Sequence, residues 1–298
     1  ELDKKVKTAE DRKEYNHSVF GIEKKQFPYM LCVTNLLLHG IDTPLVYHDN
    51  SLTKDVLNYT DEDKFDVVLM NPPYGGNEKS DVKSHFPSDM RSSETADLFM
   101  VLIMYRLKKN GRAAVIVPDG FLFGADNTKI AIKTKLLRDF NLHTIIRLPG
   151  SIFAPYTSIA TNILFFDNTS AEGAPEGYST KETWFYRLDM PEGYKHFSKT
   201  KPMKSEHCDP IREWWNDRKE IIIADGDEKS RCYSVEDLIA TDCNFDLCKF
   251  PKEDEEILPP AELLADYFKK RKALDHEIDK TLAEIQRILG IEVNVDEL

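Results

Sequence analysis

The stretch that decides the fold is Phe65–Gly76, FDVVLMNPPYGG. Phe65 to Met70 is a compact apolar block, and that composition predicts a buried strand. It runs straight into Asn71-Pro72-Pro73-Tyr74 and then Gly75-Gly76. Two prolines fix φ and remove two backbone donors. What remains is a stiff corner rich in acceptors: the Asn71 side-chain oxygen and the backbone carbonyls.

Upstream, the apolar piece Val19–Ile22 ends in Glu23, and residues 1–20 are charged without clear periodicity. Apolar residues recur at helical spacing from Phe27 to His39, with Gly40 as the stop. Pro44 to Val46 then precedes His48-Asp49-Asn50-Ser51. Downstream, Asn77 to Ser93 is polar and reads as a long loop. Thr95 to Lys108 is an apolar helix stopped by Asn110-Gly111, and Arg112 to Val117 is a second buried strand. Asn127 to Asp139 is a helix whose Lys129, Lys133, Lys135 and Arg138 read as a solvated face. Leu142–Leu148 and Ala160–Phe166 are two more strands. Strands alternating with helices predict an α/β sheet with parallel neighbours.

After Asp167 the composition shifts. Residues 168–181 read as a loop, Trp184–Leu188 as a strand, and Pro210–Arg218 as a helix anchored by Trp214 and Trp215. The expected organisation is a catalytic domain over 1–167, its extension over 168–250, an acidic linker at 251–260 and a C-terminal helical piece over 261–298. In that last piece Leu264, Tyr267, Arg271, Leu274, Ile278, Thr281, Ile285 and Ile288 form a heptad-like seam.

The chain has 298 residues, with 52 acidic against 40 basic side chains and a net charge of −12, so nonspecific polyanion binding by the whole chain is not expected. No apolar run reaches the roughly 18 residues of a membrane span, and the first residues lack the apolar region of a secretory signal. Cys32, Cys208, Cys232, Cys243 and Cys248 match no zinc spacing. They read as reduced thiols in a cytoplasmic protein, with no metal site.

In an open α/β sheet, ligands bind at the carboxyl ends of strands, where Asn71 stands. A planar amino group conjugated to a ring, or an amide NH2, is a poor nucleophile. Two acceptors at about 3 Å can hold both its hydrogens and aim its lone pair. Tyr74 offers a flat face to the ring that bears the amine. The simpler reading of the four letters is a turn. The preceding strand and the following Gly-Gly favour transfer to a planar NH2.

The sequence resembles a known family. GIE at 21–23, NLLLHGI at 35–41, HDNSL at 48–52, FDVVLMNPPYGG at 65–76, LKKNGRAAVIVPDGFLF at 107–123 and LPGSIFAPYTSIATNILFF at 148–166 follow the order of N6-adenine DNA methyltransferases. They look like the modification (M) subunit of type I restriction–modification systems. The resemblance implies a Rossmann-like S-adenosylmethionine-dependent methyltransferase sheet lacking its first strand. A smaller α+β region and a long C-terminal helix would follow it.

It also implies roles. Asn71 and the Pro72 carbonyl, set by Pro73, would accept from the adenine amine. Tyr74 and Phe153 would stack on the extruded base. Glu23 would bind the cofactor ribose, Asp49 its adenine, and Phe99 would pack on that adenine. Lys79, Lys83 and Arg91, in the loop after the corner, are candidate DNA phosphate contacts. The implied partners are DNA, a specificity (S) subunit, a restriction (R) subunit and a second M subunit. The implied cofactor is S-adenosylmethionine.

One departure stands out. The family places a Gly-rich loop ahead of the acid matching Glu23, and no G-x-G occurs anywhere in this sequence. The expectation is therefore a C-terminal portion of a longer subunit that binds the cofactor weakly or not at all. Two other readings stay open: a protein-glutamine N5-methyltransferase, which shares the NPPY corner, and an inactive assembly module docking on a specificity subunit through the helix 261–289.

Overall fold

A computed structural model describes residues 3–223, 226–251 and 260–290. It opens with helix α1 (Ala9–His17), strand β1 (Phe20–Glu23), helix α2 (Gln26–Leu38) and strand β2 (Leu45–His48). β1 and β2 pair in parallel as a two-stranded sheet. Then come β3 (Phe65–Met70), α3 (Ser80–Lys83), α4 (Thr95–Arg106), β4 (Leu107–Pro118), α5 (Asp119–Phe123) and α6 (Asn127–Asp139). β5 (Asn141–Arg147), β6 (Thr161–Asp167), β7 (Glu182–Arg187), α7 (Asp209–Asn216), β8 (Ile221–Ile222), β9 (Glu228–Ser234) and α8 (Val235–Ala240) complete the first compact unit, residues 1–250.

Seven strands form the second sheet, in the order β3-β4-β6-β5-β7-β9-β8. The expected parallel neighbours hold for β3/β4 and β5/β7. β6 runs antiparallel to both β4 and β5. The reason is its connection: β6 returns beside β5 through residues 148–160, with no helix to cross it over. β7, β9 and β8 extend this same sheet, so part of 168–250 is continuous with it.

Period-2 alternation builds two faces. Leu164 and Phe166 enter the main core beneath α4, α5, α6 and α8, while Ile163 and Phe165 face a second cluster around Trp214. Trp214 and Trp215 are packing anchors there, as the sequence suggests. α4 is buried nearly all round, sharing the main core with the sheet, with α6 and with the segment 77–93.

That segment is not the polar loop expected. Val82, Phe86 and Met90 recur every four residues, and all three are buried in the main core. The solvated lysine face is also overturned: Lys129 and Lys133 are 5% and 0% exposed. They are buried because the Glu94 carboxylate, from a distant segment, and the Leu122 and Gly124 carbonyls, just ahead of α6, close over them. β3 departs from its reading as a wholly buried strand. It is the edge of the large sheet, and Val67 and Leu69 are 48% and 78% exposed. The small sheet meets it through Phe20 against Phe65, ring centroids 5.0 Å apart.

The second unit, from residue 251, contains α9 (Pro260–Leu289), a single helix whose apolar seam is exposed along its length. Most of the expected linker, 252–259, lies outside the described residues.

Candidate active site

Parallel pairing brings the chemistry-bearing residues to strand ends. β1 ends in Glu23, which pairs in register with His48, the last residue of β2. The Asp49 amide donates to the Glu23 carbonyl at 3.2 Å, so the two acids sit on adjacent strand termini. Glu23 also accepts from the Lys25 amide at 2.7 Å, and Asp49 from the Asn50 amide at 2.7 Å. Glu23 is half-buried and Asp49 is exposed.

β1 and β3 belong to different sheets, and the gap of about 740 Å³ between them is lined along the length of both strands. Its lining includes Glu23, Asn71, Pro72, Pro73, Phe99 and Arg106. It therefore unites Glu23, Phe99 and the corner, and leaves Asp49, Tyr74 and Phe153 outside its wall. Arg106 was not foreseen. Its guanidinium sits over the rings of Phe20, Tyr59 and Phe65 and donates to the Asp63 carbonyl at 3.1 and 3.0 Å. Burial pulls its pKa below the usual arginine range. The sequence signal was an arginine closing an otherwise apolar helix.

At the corner, Pro72 is buried and Asn71 is exposed. The Tyr74 hydroxyl donates to Asn71 Oδ1. That contact orients the amide with its oxygen toward the tyrosine, and an amide oxygen keeps a second lone pair for another donor. Burial pushes the Tyr74 phenol up to about 12, so it remains a donor at neutral pH. Gly75 and Gly76 follow at φ +74° and +99°, a reversal that side-chain-bearing residues rarely make.

The structure brings Phe153 to Tyr74, with ring centroids 6.0 Å apart and planes at 56°. A base sandwiched between parallel rings needs about 7–8 Å. The two rings thus touch one another, and seating a base requires them to part. Phe153 is carried by a segment closed at its base by Leu148 N to Thr161 O, 3.0 Å. Beneath it lies a buried network that sequence reading missed. Arg147 bonds both Asp119 oxygens at 3.1 Å and Asp246 at 2.5 Å, while Asn162 bonds Asp119 at 2.6 Å. The cue was Asp119 directly after a strand-ending proline.

The candidate phosphate contacts separate. Lys79 is exposed and Lys83 half-exposed, both at the start of the segment after the corner. Arg91 donates to the Phe86 and Ser84 carbonyls at 2.9 and 3.3 Å, so it holds its own turn. Lys24, beside Glu23, pairs with Glu78 at 3.3 Å and ties the end of β1 to that segment. Among the described residues no cluster of metal-ligating side chains occurs. No described helix is long and apolar enough to cross a membrane.

The chain has the α/β fold of S-adenosylmethionine-dependent methyltransferases, with two acids and the NPPY corner at its strand ends. A family model for N-6 DNA Methylase matches residues 1–257, and the chain belongs to that family. It is 43% identical over 97% of its length to the type I restriction enzyme EcoEI methylase subunit of Escherichia coli, covering 56% of that protein. It is 31% identical to the EcoKI methylase subunit of Escherichia coli strain K12, covering 71% of this chain and 43% of the relative. The chain thus spans about half the length of these relatives. The crystal structure of a modification subunit of a putative type I restriction enzyme from Vibrio vulnificus YJ016 superposes with TM-score 0.70 at 42% identity, covering 79% of this chain and 47% of the other. A structure described in terms of complex assembly and conformational transition of the type I restriction–modification system superposes with TM-score 0.71 at 33% identity, covering 98% and 58%.

Proposed function

We propose that this chain carries the target-base half of an adenine-N6 DNA methyltransferase, the modification subunit of a type I restriction–modification system. The observation that carries the reading is Asn71, at the carboxyl end of β3, with Tyr74 on its oxygen and Phe153 against Tyr74.

The residues present fit the adenosine part of S-adenosylmethionine. Glu23 offers acceptors for ribose hydroxyls at a strand end, Asp49 is beside it, and Phe99 lends apolar surface in the same cavity as Asn71. No G-x-G loop for the methionine part occurs in the sequence. When bound, the cofactor would supply a methyl group on a sulfonium, an electrophile without need of a metal.

The protein's work is positional. Asn71 Oδ1 and the Pro72 carbonyl accept the two amine hydrogens of an extruded adenine, which withdraws the nitrogen lone pair from the ring and aims it outward. Tyr74 and Phe153 grip the base from its faces, a contact worth roughly 1–3 kcal/mol per stacked ring. That offsets part of the few kcal/mol needed to extrude it. If the methyl group passes to the nitrogen, its bond to sulfur breaks and the pair stays on sulfur as a neutral thioether; positive charge would then grow on the nitrogen, where the two oxygens would stabilise it. The surplus proton then leaves to water, since neither an amide oxygen nor a peptide carbonyl takes it up at neutral pH.

The relatives' description as subunits of type I restriction enzymes supports further partners. DNA, a specificity subunit, a restriction subunit and a second modification subunit are proposed, with the exposed seam of α9 offered to the specificity subunit. The test uses the assembled methyltransferase and duplex DNA with a tritiated methyl donor. Asn71→Ala should lower kcat by roughly 100–1,000-fold, as loss of a positioned transition-state partner does. Asn71 is exposed, so thermal melting should not move. Unchanged adenine labelling, or label on a protein glutamine instead, overturns the proposal.

A further inference from the structure

The corner leaves through Gly75, Gly76 and Asn77. Asn77 forms an antiparallel bridge with Glu94, just ahead of α4. A Cβ on Gly76 would lie 3.2 Å from the Thr95 hydroxyl, so the exit of the corner leans on the first turn of that helix. That turn is held by buried polar groups. Ser92 Oγ accepts from the Glu94 amide at 3.0 Å and donates to Asp97 at 2.6 Å. Asp97 is fully buried, and one of its oxygens has no hydrogen-bond partner.

The cation paired with Asp97, among the described residues, is Lys129 of α6. Its Nζ lies 2.6 Å from Glu94 Oε1, 3.1 Å from Asp97 Oδ2 and 3.6 Å from Asp126 Oδ2. Its stem is wedged against the backbone that follows β4: a Cβ on Gly124 would stand 2.2 Å from Lys129 Cδ. Lys129 therefore spans the segments that follow β3 and β4. Burial raises the Asp97 carboxyl above its ordinary range, against the Ser92 hydroxyl and Lys129, which hold it down.

We propose that Lys129 is a positioning residue for methyl transfer, fixing through Glu94 and the Asn77–Glu94 bridge where the Asn71–Tyr74 corner stands. This rests on the reading of that corner given above. It differs from simple neutralisation of a buried acid, because Glu94 is 48% exposed in its side chain and needs no counter-charge.

The assembled methyltransferase separates the two roles. Lys129→Met should lower kcat by roughly 10–100-fold, the cost of an ångström-scale misplacement, while KM for DNA holds. Fluorescence of 2-aminopurine at the target base should rise on binding as in the wild type, since stacking between Tyr74 and Phe153 tolerates an ångström-scale shift that aiming the amine does not. Asp97→Asn combined with Lys129→Met removes the buried charge and should restore thermal melting but not kcat. Glu94→Gln, at an exposed carboxylate that folding does not require, should lower kcat several-fold without changing melting. Recovery of kcat in the double variant, or wild-type kcat in Glu94→Gln, overturns the proposal. A wild-type assembly that labels glutamine and not adenine removes the DNA reading. The ratio of variant to wild-type rates on that substrate still decides the role of Lys129.

Discussion

Within this chain the two sheets differ in how much their surroundings bury. In the small one, α1 and α2 bury no residue, and Phe27, Met30, Leu31 and Leu38 of α2 are exposed. In the large one, α4 alone buries nine of its 12 residues. Glu23 and Asp49 stand on the first sheet, held mainly by backbone bonds between strands. The Asn71–Tyr74 corner stands on the edge strand of the second, backed by its core. The corner thus has a packed core behind it and the two acids do not, and on the proposed reading this suits the corner, because aiming an acceptor at a reacting nitrogen needs a rigid base.

The sharpest way to break this contrast is a pair of Phe→Ala changes in the chain as it stands. Phe166 is fully buried and meets Phe140 edge-on at 5.6 Å. Phe166→Ala should cost about 3–5 kcal/mol in urea unfolding. Phe27 is 69% exposed, and Phe27→Ala should cost within about 0.5 kcal/mol. Equal losses would show that the two regions share one core.

The buried lysines sharpen it next. Lys133 donates to the Leu122 and Gly124 carbonyls at 3.1 and 2.8 Å, where α5 ends, and burial pulls its pKa down from 10.5 to about 8. Between those values the unfolded chain binds the proton and the folded chain does not. Its contribution to stability therefore rises with pH across that window, by an amount on the order of a few kcal/mol, and is absent below it. Urea midpoints at pH 7.5 and 9.5, compared with those of Lys133→Met, should show the wild type gaining on the variant. A parallel response would place the lysine in water.

How much of this was legible follows the same divide. β3 and the corner were readable because strand, prolines and glycines are contiguous signals. α6 was readable over its full span, Asn127–Asp139, but the depth of Lys129 and Lys133 was not. Lysines at i and i+4 look like a wet stripe, and the groups that bury them come from residues 94–97 and 122–124. β6 was readable as a strand, Ala160–Phe166, but its antiparallel direction was not, since strand direction is set by how the chain returns. α1 and α8 were missed despite a local cue. Thr8 with Asp11, and Ser234 with Asp237, form reciprocal caps that mark both helix starts. Glu23, Asp49 and Phe153 became candidates only through the family resemblance, because each is ordinary in its own neighbourhood.

The smallest expected effect tests the border between the regions. Tyr74 meets Asn71 by its hydroxyl and Phe153, the other proposed wall for the base, by its ring. Tyr74→Phe keeps the ring and frees Asn71 Oδ1, after which the amide can turn and offer its NH2 where an acceptor is needed. One neutral hydrogen bond is worth about 1 kcal/mol, so kcat in the assembled enzyme should fall about fivefold. Tyr74→Ala removes stacking as well and should fall further, by the roughly 1–3 kcal/mol of a stacked base. The phenol is held up to about 12, so the wild-type rate should show no tyrosine-linked decline through about pH 10. A faster Tyr74→Phe enzyme would mean that the hydroxyl competes with the adenine amine for the same oxygen. The corner would then be a closed state that DNA must open, and its rigidity would come from the bound base and not from the sheet behind it.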